Sequence, residues 1–240
     1  MLEWIDDVKI RHRDRLTDFL DPREREIIAT IIGNDEDVKY RFFGGAPFSE
    51  RARARLVPSY LEVTEEDFEL ALFSVRYSHK FATLTHRDVL GALMNIGVKR
   101  EKFGDIIIAA DEIQIVVANE IAPYVEMNVT KIGKTTVRLE PIPLSAIIQP
   151  DENWVSSIAT VSSLRLDAIL GQVYSLSRTK VVPYIEKGLV KVNWKVIDKP
   201  DFIVAQGDYL SMRGYGRAKI TELLGKTKKD KIRFRYERLQ

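Results

Sequence analysis

Near the start of the chain, apolar residues recur at spacings of three and four. Ile5, Val8, His12, Leu16 and Phe19 fall on one stripe and predict an opening helix that runs through Phe19. "DPRE" predicts the start of a second helix: Asp21 caps it, Pro22 suits the first helical position, and Glu24 completes a capping box. Ile27, Ile28, Ile31 and Ile32 carry that helix to a stop at Gly33-Asn34. A strand, "VKYRFF", then leads into Gly44-Gly45. In "PFSERARARLVP", Arg51, Arg53 and Arg55 alternate with alanines. A strand there places all three guanidinium groups on one face and a helix only Arg51 and Arg55; the pattern fits either.

The middle of the chain is more regular. "FELALFSVRY" reads as a strand. "THRDVLGALMNIG" reads as a helix capped by Thr85 with Asp88 three residues on, and ended by Gly97. "DIIIAADEIQIVVA" gives two strands meeting at Asp111-Glu112, "NEIAPYVEMNVTKIG" a helix interrupted near Pro123, and "TTVRLEPIP" a last strand. The order β-α-β-β-α-β is the ferredoxin-like, RNA-recognition-motif-like pattern. The aromatic strand signature that stacks bases in such domains is absent. Residues 149–163, "QPDENWVSSIATVSS", are polar and serine-rich and read as a connection.

Beyond it, Ser163 is placed to cap a helix buried along Leu166, Ile169, Leu170 and Val173. Ser177 is placed to cap a second helix that ends at Gly188, with Pro183 in its interior. "LVKVNWKVI" reads as one strand, with Val190, Val192, Trp194 and Val196 on one face and Lys191, Asn193 and Lys195 on the other. A turn at Gly207-Asp208 precedes another strand, and the tail reads as a hairpin with Lys231, Arg233 and Arg235 on a basic face. The expected fold class is therefore α+β. An N-terminal helical segment (1–66) packs on a ferredoxin-like domain (67–148); the connection (149–163) leads to a C-terminal α/β unit (164–240).

At 45% apolar and 30% charged, the 240 residues can bury a core. Cysteine is absent, which removes disulfides, zinc–thiolate sites and cysteine nucleophiles. The first twenty residues carry charges throughout, unlike a signal peptide, and no apolar run approaches the roughly eighteen residues of a membrane span. His12, His79 and His86 show no metal-ligand spacing, and no phosphate-binding or dinucleotide glycine loop follows a strand. No catalytic residue, metal or cofactor is predicted. Charge is unevenly distributed. From Leu164 to Gln240 there are 17 Lys and Arg against 8 Asp and Glu; of the totals of 37 and 35, that leaves 20 against 27 before it. A balance of +9 in the last third points to a polyanionic partner.

The residues there carry a resemblance. Arg165-Leu166-Asp167, Ser177-Arg178, Gly188 with Val190, Val192 and Asn193, and Gly207-Asp208 follow one another as in the S4 RNA-binding domain. With "DPRE", "FFGGAPFSERARARLVP" and the closing "RGYGR", nearly the whole chain resembles the YlmH-type S4 proteins. That resemblance implies a cytoplasmic, non-catalytic RNA-binding protein associated with the large ribosomal subunit, its rRNA and tRNA, and with rescue of stalled peptidyl-tRNA. A partner in cell division is an alternative, and an RNA-modifying enzyme with an S4 appendage a third. The expected RNA contacts are Arg165, Ser177, Arg178, Lys180, Lys187, Lys191, Asn193 and Lys195, with Arg213 and Arg217 around a glycine turn. Asp167 is expected to orient Arg165 rather than to touch RNA, and Arg51, Arg53 and Arg55 form a candidate second foothold.

Overall fold

The computed structural model describes residues 2–33, 35–80 and 82–239. They form two compact units, Met1–Asp151 and Glu152–Gln240.

The first unit opens with α1 (Leu2–Arg11), which is shorter than the stripe predicted. The backbone turns over at His12 (φ +51°) and Arg15–Leu20 form strand β1. Leu16 and Phe19 keep helical spacing only by coincidence. Thr17 and Phe19 are the buried positions, at the period of two that a strand imposes. The helix α2 (Pro22–Ile32) has the predicted capping box, in which Asp21 accepts from the Glu24 amide and Glu24 accepts from the Asp21 amide. Its stop is at Gly33; Asn34 lies outside the described residues. Strands β2 (Val38–Phe43) and β3 (Ala52–Pro58) complete an antiparallel sheet ordered β1-β3-β2. The N-terminal segment is thus a small α/β layer rather than helical. Ile5, Val8, Ile28, Ile32, Val38, Ala54 and Leu56 make its core.

The ferredoxin-like order is present. Strands β4 (Leu70–Arg76), β5 (Phe103–Ala109) and β6 (Glu112–Ala118) alternate with α3 (His86–Asn95) and α4 (Ala122–Asn128). Pro123 lies in the first turn of α4 and so helps to start the helix rather than interrupting it. A two-residue hairpin, β7 (Lys131–Ile132) and β8 (Thr135–Thr136), precedes β9 (Arg138–Ile142). The antiparallel sheet runs β5-β6-β4-β9.

Both faces of that sheet are closed. Phe73, Val75, Ile113, Ile115 and Val117 meet α3 and α4 through Val89, Leu93 and Val125. On the other face, Phe19, Leu144, Ile147 and Ile148 cover Leu72, Ile107, Val116 and Ala118. The Gln114 side chain fastens this cover, donating to the Ala146 carbonyl at 3.0 Å and accepting from the Ile148 amide at 2.9 Å. The face on which an RNA-recognition motif stacks bases is therefore interior.

In the second unit, the residues expected as a connection include β10 (Trp154–Val161), which pairs along its whole length with the final strand. It is an edge strand, with Val155 and Ile158 exposed and Val161 buried. Helices α5 (Leu166–Val173) and α6 (Arg178–Glu186) follow, then β11 (Val190–Val192), β12 (Lys195–Val196), β13 (Tyr209–Met212), β14 (Gly216–Lys226) and β15 (Ile232–Leu239). The sheet runs β10-β15-β14-β13-β11-β12. One of its faces, with Val190, Leu210, Met212, Ala218, Ile220 and Phe234, shares a core with Leu166, Ile169, Leu170, Val181 and Ile185 of the helices.

The cover over the middle sheet depends on a close approach. A Cβ at Gly104 would lie 2.7 Å from the Phe19 ring. Gly104→Ala is therefore expected to lower unfolding stability by about 1–3 kcal/mol, measurable by denaturant titration.

Candidate nucleic-acid interface

The chemistry of the second unit starts at α5. Its first N–H groups are satisfied by a loop rather than a side-chain cap: Leu166 donates to the Phe202 carbonyl at 2.8 Å and Asp167 to that of Pro200 at 3.1 Å. Arg165, not Ser163, holds the capping position. With those donors satisfied, the Asp167 carboxylate faces side chains alone.

Asp167 is only 3% exposed. Arg165 grips it through two bonds, Nε to Oδ1 at 3.2 Å and Nη2 to Oδ2 at 3.1 Å. Arg178, the first residue of α6, reaches Oδ2 at 2.6 Å. One buried carboxylate thus fixes two guanidinium groups from separate helix starts, and the cluster keeps a net positive charge. The outer edges remain open, the side chains being 38% exposed at Arg165 and 54% at Arg178. Burial opposes ionisation of Asp167, but the hydrogen bonds and charges of Arg165 and Arg178 outweigh it and hold the carboxyl below its ordinary 3.8. The same bond raises Arg165.

Around this pair, Ser177 is exposed at the α6 N-cap; its hydroxyl meets that of Thr179 at 2.9 Å and caps no amide. Lys180 stands exposed in the first turn, two residues from Arg178 and so on another bearing of the helix. No acidic residue lies in that turn, which leaves the positive end of the helix dipole reinforced by cations. Pro183 sits inside a helix that continues to Glu186, removing only the amide that would reach Thr179.

The other expected contacts lie elsewhere. Lys187 is at the far end of α6, where a cation suits the dipole. The single strand expected over Leu189–Ile197 is instead a hairpin: Asn193 and Trp194 turn it with φ of +48° and +61°. The turn separates the lysines. Lys191 faces Val196 and Ser211, whereas Lys195 faces the buried Val192. The Asn193 side chain is occupied internally, donating to Asp208 at 2.8 Å and accepting from the Tyr209 amide at 2.9 Å. Arg213 is exposed at the β13–β14 turn, and Arg217 pairs with Ser211 across the sheet.

In the first unit, β3 does place the arginines along a strand, but they serve the fold. Arg53 is 4% exposed and donates to the Thr17 carbonyl at 2.7 Å, to those of Phe68 and Glu69, and to Glu120. Arg51 reaches the carbonyls of Phe103 and Phe19, and Arg55 that of Asp67 and the Asp14 carboxylate. They tie the N-terminal layer to the ferredoxin-like sheet.

Comparison with known proteins places these features in a family. Residues 63–146 match the family described as "Putative RNA-binding domain in YlmH", and 164–209 match the S4 domain. The chain is 48% identical over 237 residues to the Bacillus subtilis (strain 168) "Ribosome-associated protein quality control protein P2", covering 99% of this chain and 92% of that one. The chain belongs to the YlmH family. A solved structure of "Cell division protein ylmH from Streptococcus pneumoniae" is 30% identical with a TM-score of 0.54, over 62% of this chain and 90% of that one. The S4 match contains Arg165, Asp167, Arg178 and Asn193 but ends at Tyr209. The β14–β15 hairpin and β10 lie outside it.

The Asp167 cluster has a pH signature. Its folded carboxyl is more acidic than the unfolded one, so pairing stabilises above the ordinary carboxylate range and that stability is lost as pH falls below it. Thermal melts from about pH 6 to about pH 3 should show part of the acid destabilisation vanish in Asp167→Asn, which at neutral pH should itself lose about 1–3 kcal/mol.

Proposed function

We propose that the chain is a non-catalytic, cytoplasmic RNA-binding protein that attaches to the large ribosomal subunit, contacting rRNA and tRNA, in translation quality control. The S4 and RNA-binding-domain matches and the ribosome-associated relative support this reading. The observation that carries it is the Arg165–Asp167–Arg178 cluster at the start of α6. Each guanidinium uses one edge on Asp167 and offers the other outward, a planar fork suited to phosphate oxygens. Ser177, Lys180 and the uncapped amides of α6 add donors on the same end of the helix. Such a surface reads RNA by shape and phosphate position rather than by base edges.

The test is co-sedimentation with ribosomal subunits, and recovery of bound RNA, at low and moderate salt. Arg178→Ala with Lys180→Ala is expected to abolish recovery of large-subunit RNA at moderate salt and to reduce the salt slope by about two. A double variant that sediments like the parent protein, or a protein that recovers partner proteins and no RNA, overturns the reading. The second outcome would favour a protein-interaction role in cell division.

A further inference from the structure

The face of the second unit's sheet that turns away from α5 and α6 has its own chemistry. Cross-strand register sets its residues. Tyr209 lies opposite Lys219, which lies opposite Glu237; Lys191 lies opposite Ser211, which lies opposite Arg217. Their neighbours Leu210, Met212, Ala218 and Ile220 point into the core.

Three aromatic rings cross this face. Trp194, at the β11–β12 turn, lies 5.4 Å from the Tyr209 ring, and Trp154, from β10, lies 6.4 Å from it in an edge-on arrangement. All three are partly exposed, and the Lys219 ammonium stands 5.0 Å over Tyr209. Lys191 and Arg217 flank the row. Carboxylates border the row as well: Glu152 accepts from the Trp154 indole N–H at 2.8 Å, Asp208 is bonded to Asn193, Glu222 is paired with Arg235, and Glu237 lies beside Lys219.

A second observation concerns Trp194 itself. It occupies the last position of a two-residue hairpin turn at φ +61°, where glycine is favoured and a bulky side chain is strained. Asn193-Gly would serve the turn better. The turn thus holds a large ring at the rim of this face, beside Tyr209.

We propose that this sheet face is a second RNA contact, which stacks an unpaired base on Trp194 and holds its flanking phosphates with Lys191 and Arg217. Aromatic rings interleaved with cations are the chemistry that binds single-stranded nucleic acid, since every base offers a π face and every linkage a negative charge. The helix-side cluster, two guanidinium groups joined by Asp167, suits the backbone of a folded RNA. The two faces divide one RNA between structured and unpaired parts, and their linkage in one unit raises avidity. This inference rests on the RNA-binding reading above.

The test measures anisotropy of a labelled short oligoadenylate and of a labelled blunt RNA duplex with the full chain. Trp194→Gly is expected to bind the oligoadenylate roughly tenfold more weakly, the loss of one stacked base, while binding the duplex as before. Its melting temperature should stay level or rise, because glycine relieves the turn, and Trp194→Phe should keep most of the affinity. Undiminished oligoadenylate binding by Trp194→Gly overturns the proposal. So does a lowered melting temperature with both ligands weakened together, since the ring would then be structural. Binding of the duplex but not the oligoadenylate by the parent protein sinks the stacking face and leaves the RNA reading standing; binding of neither sinks both.

Discussion

A buried carboxylate that holds two arginines organises the second unit. Asp167 is enclosed by its own helix, by the 200–202 loop and by the start of α6, and it has little access to water. A charge so placed must be matched, and Arg165 and Arg178 match it from two directions. The contact fixes where α6 begins relative to α5. It also restricts the rotamers of two long side chains, the kind of preorganisation that lowers the cost of binding an anion. One negative side chain thus sets the direction of two positive ones.

The first unit shows the opposite use of arginine. Arg51, Arg53 and Arg55 turn inward to backbone carbonyls and to Glu120 or Asp14, and Lys102 bridges Asp18 and Glu120. These charges weld the N-terminal layer onto the ferredoxin-like sheet. Phe19 and the 144–148 segment then fill the sheet face that related folds leave open for bases. Any RNA contact of this unit lies away from that sheet face.

Local grammar was legible in the sequence where the chain supplies its own partners. Asp21 with Glu24, and Thr85 with Asp88, close capping boxes within three residues, and both helices start where those boxes predict. The order of strands and helices between β4 and β9 was legible too. What was hidden depended on distant residues. The stretch His12–Phe19 continues a helical stripe, but pairing with β3 draws it into a strand. Residues 154–161 resemble a polar connection until β15, some seventy residues on, pairs with them. At Asn193-Trp194 no propensity forecasts a tryptophan at positive φ; the side-chain bonds of Asn193 to Asp208 and Tyr209 impose the turn. That turn splits Lys191 from Lys195 and divides the expected contacts between two faces. The S4 motif residues named Arg165, Asp167 and Arg178, while the way one carboxylate joins the two arginines needed the fold.

The most direct measurement is the RNA affinity of Asp167→Asn at neutral pH and fixed salt. Simple electrostatics says that deleting a negative charge beside a polyanion should tighten binding. If Asp167 acts by aiming Arg165 and Arg178, the variant binds large-subunit RNA several-fold more weakly while remaining folded. Equal or tighter binding by a folded Asp167→Asn protein would contradict the account, because the two arginines would then be working without the carboxylate that holds them.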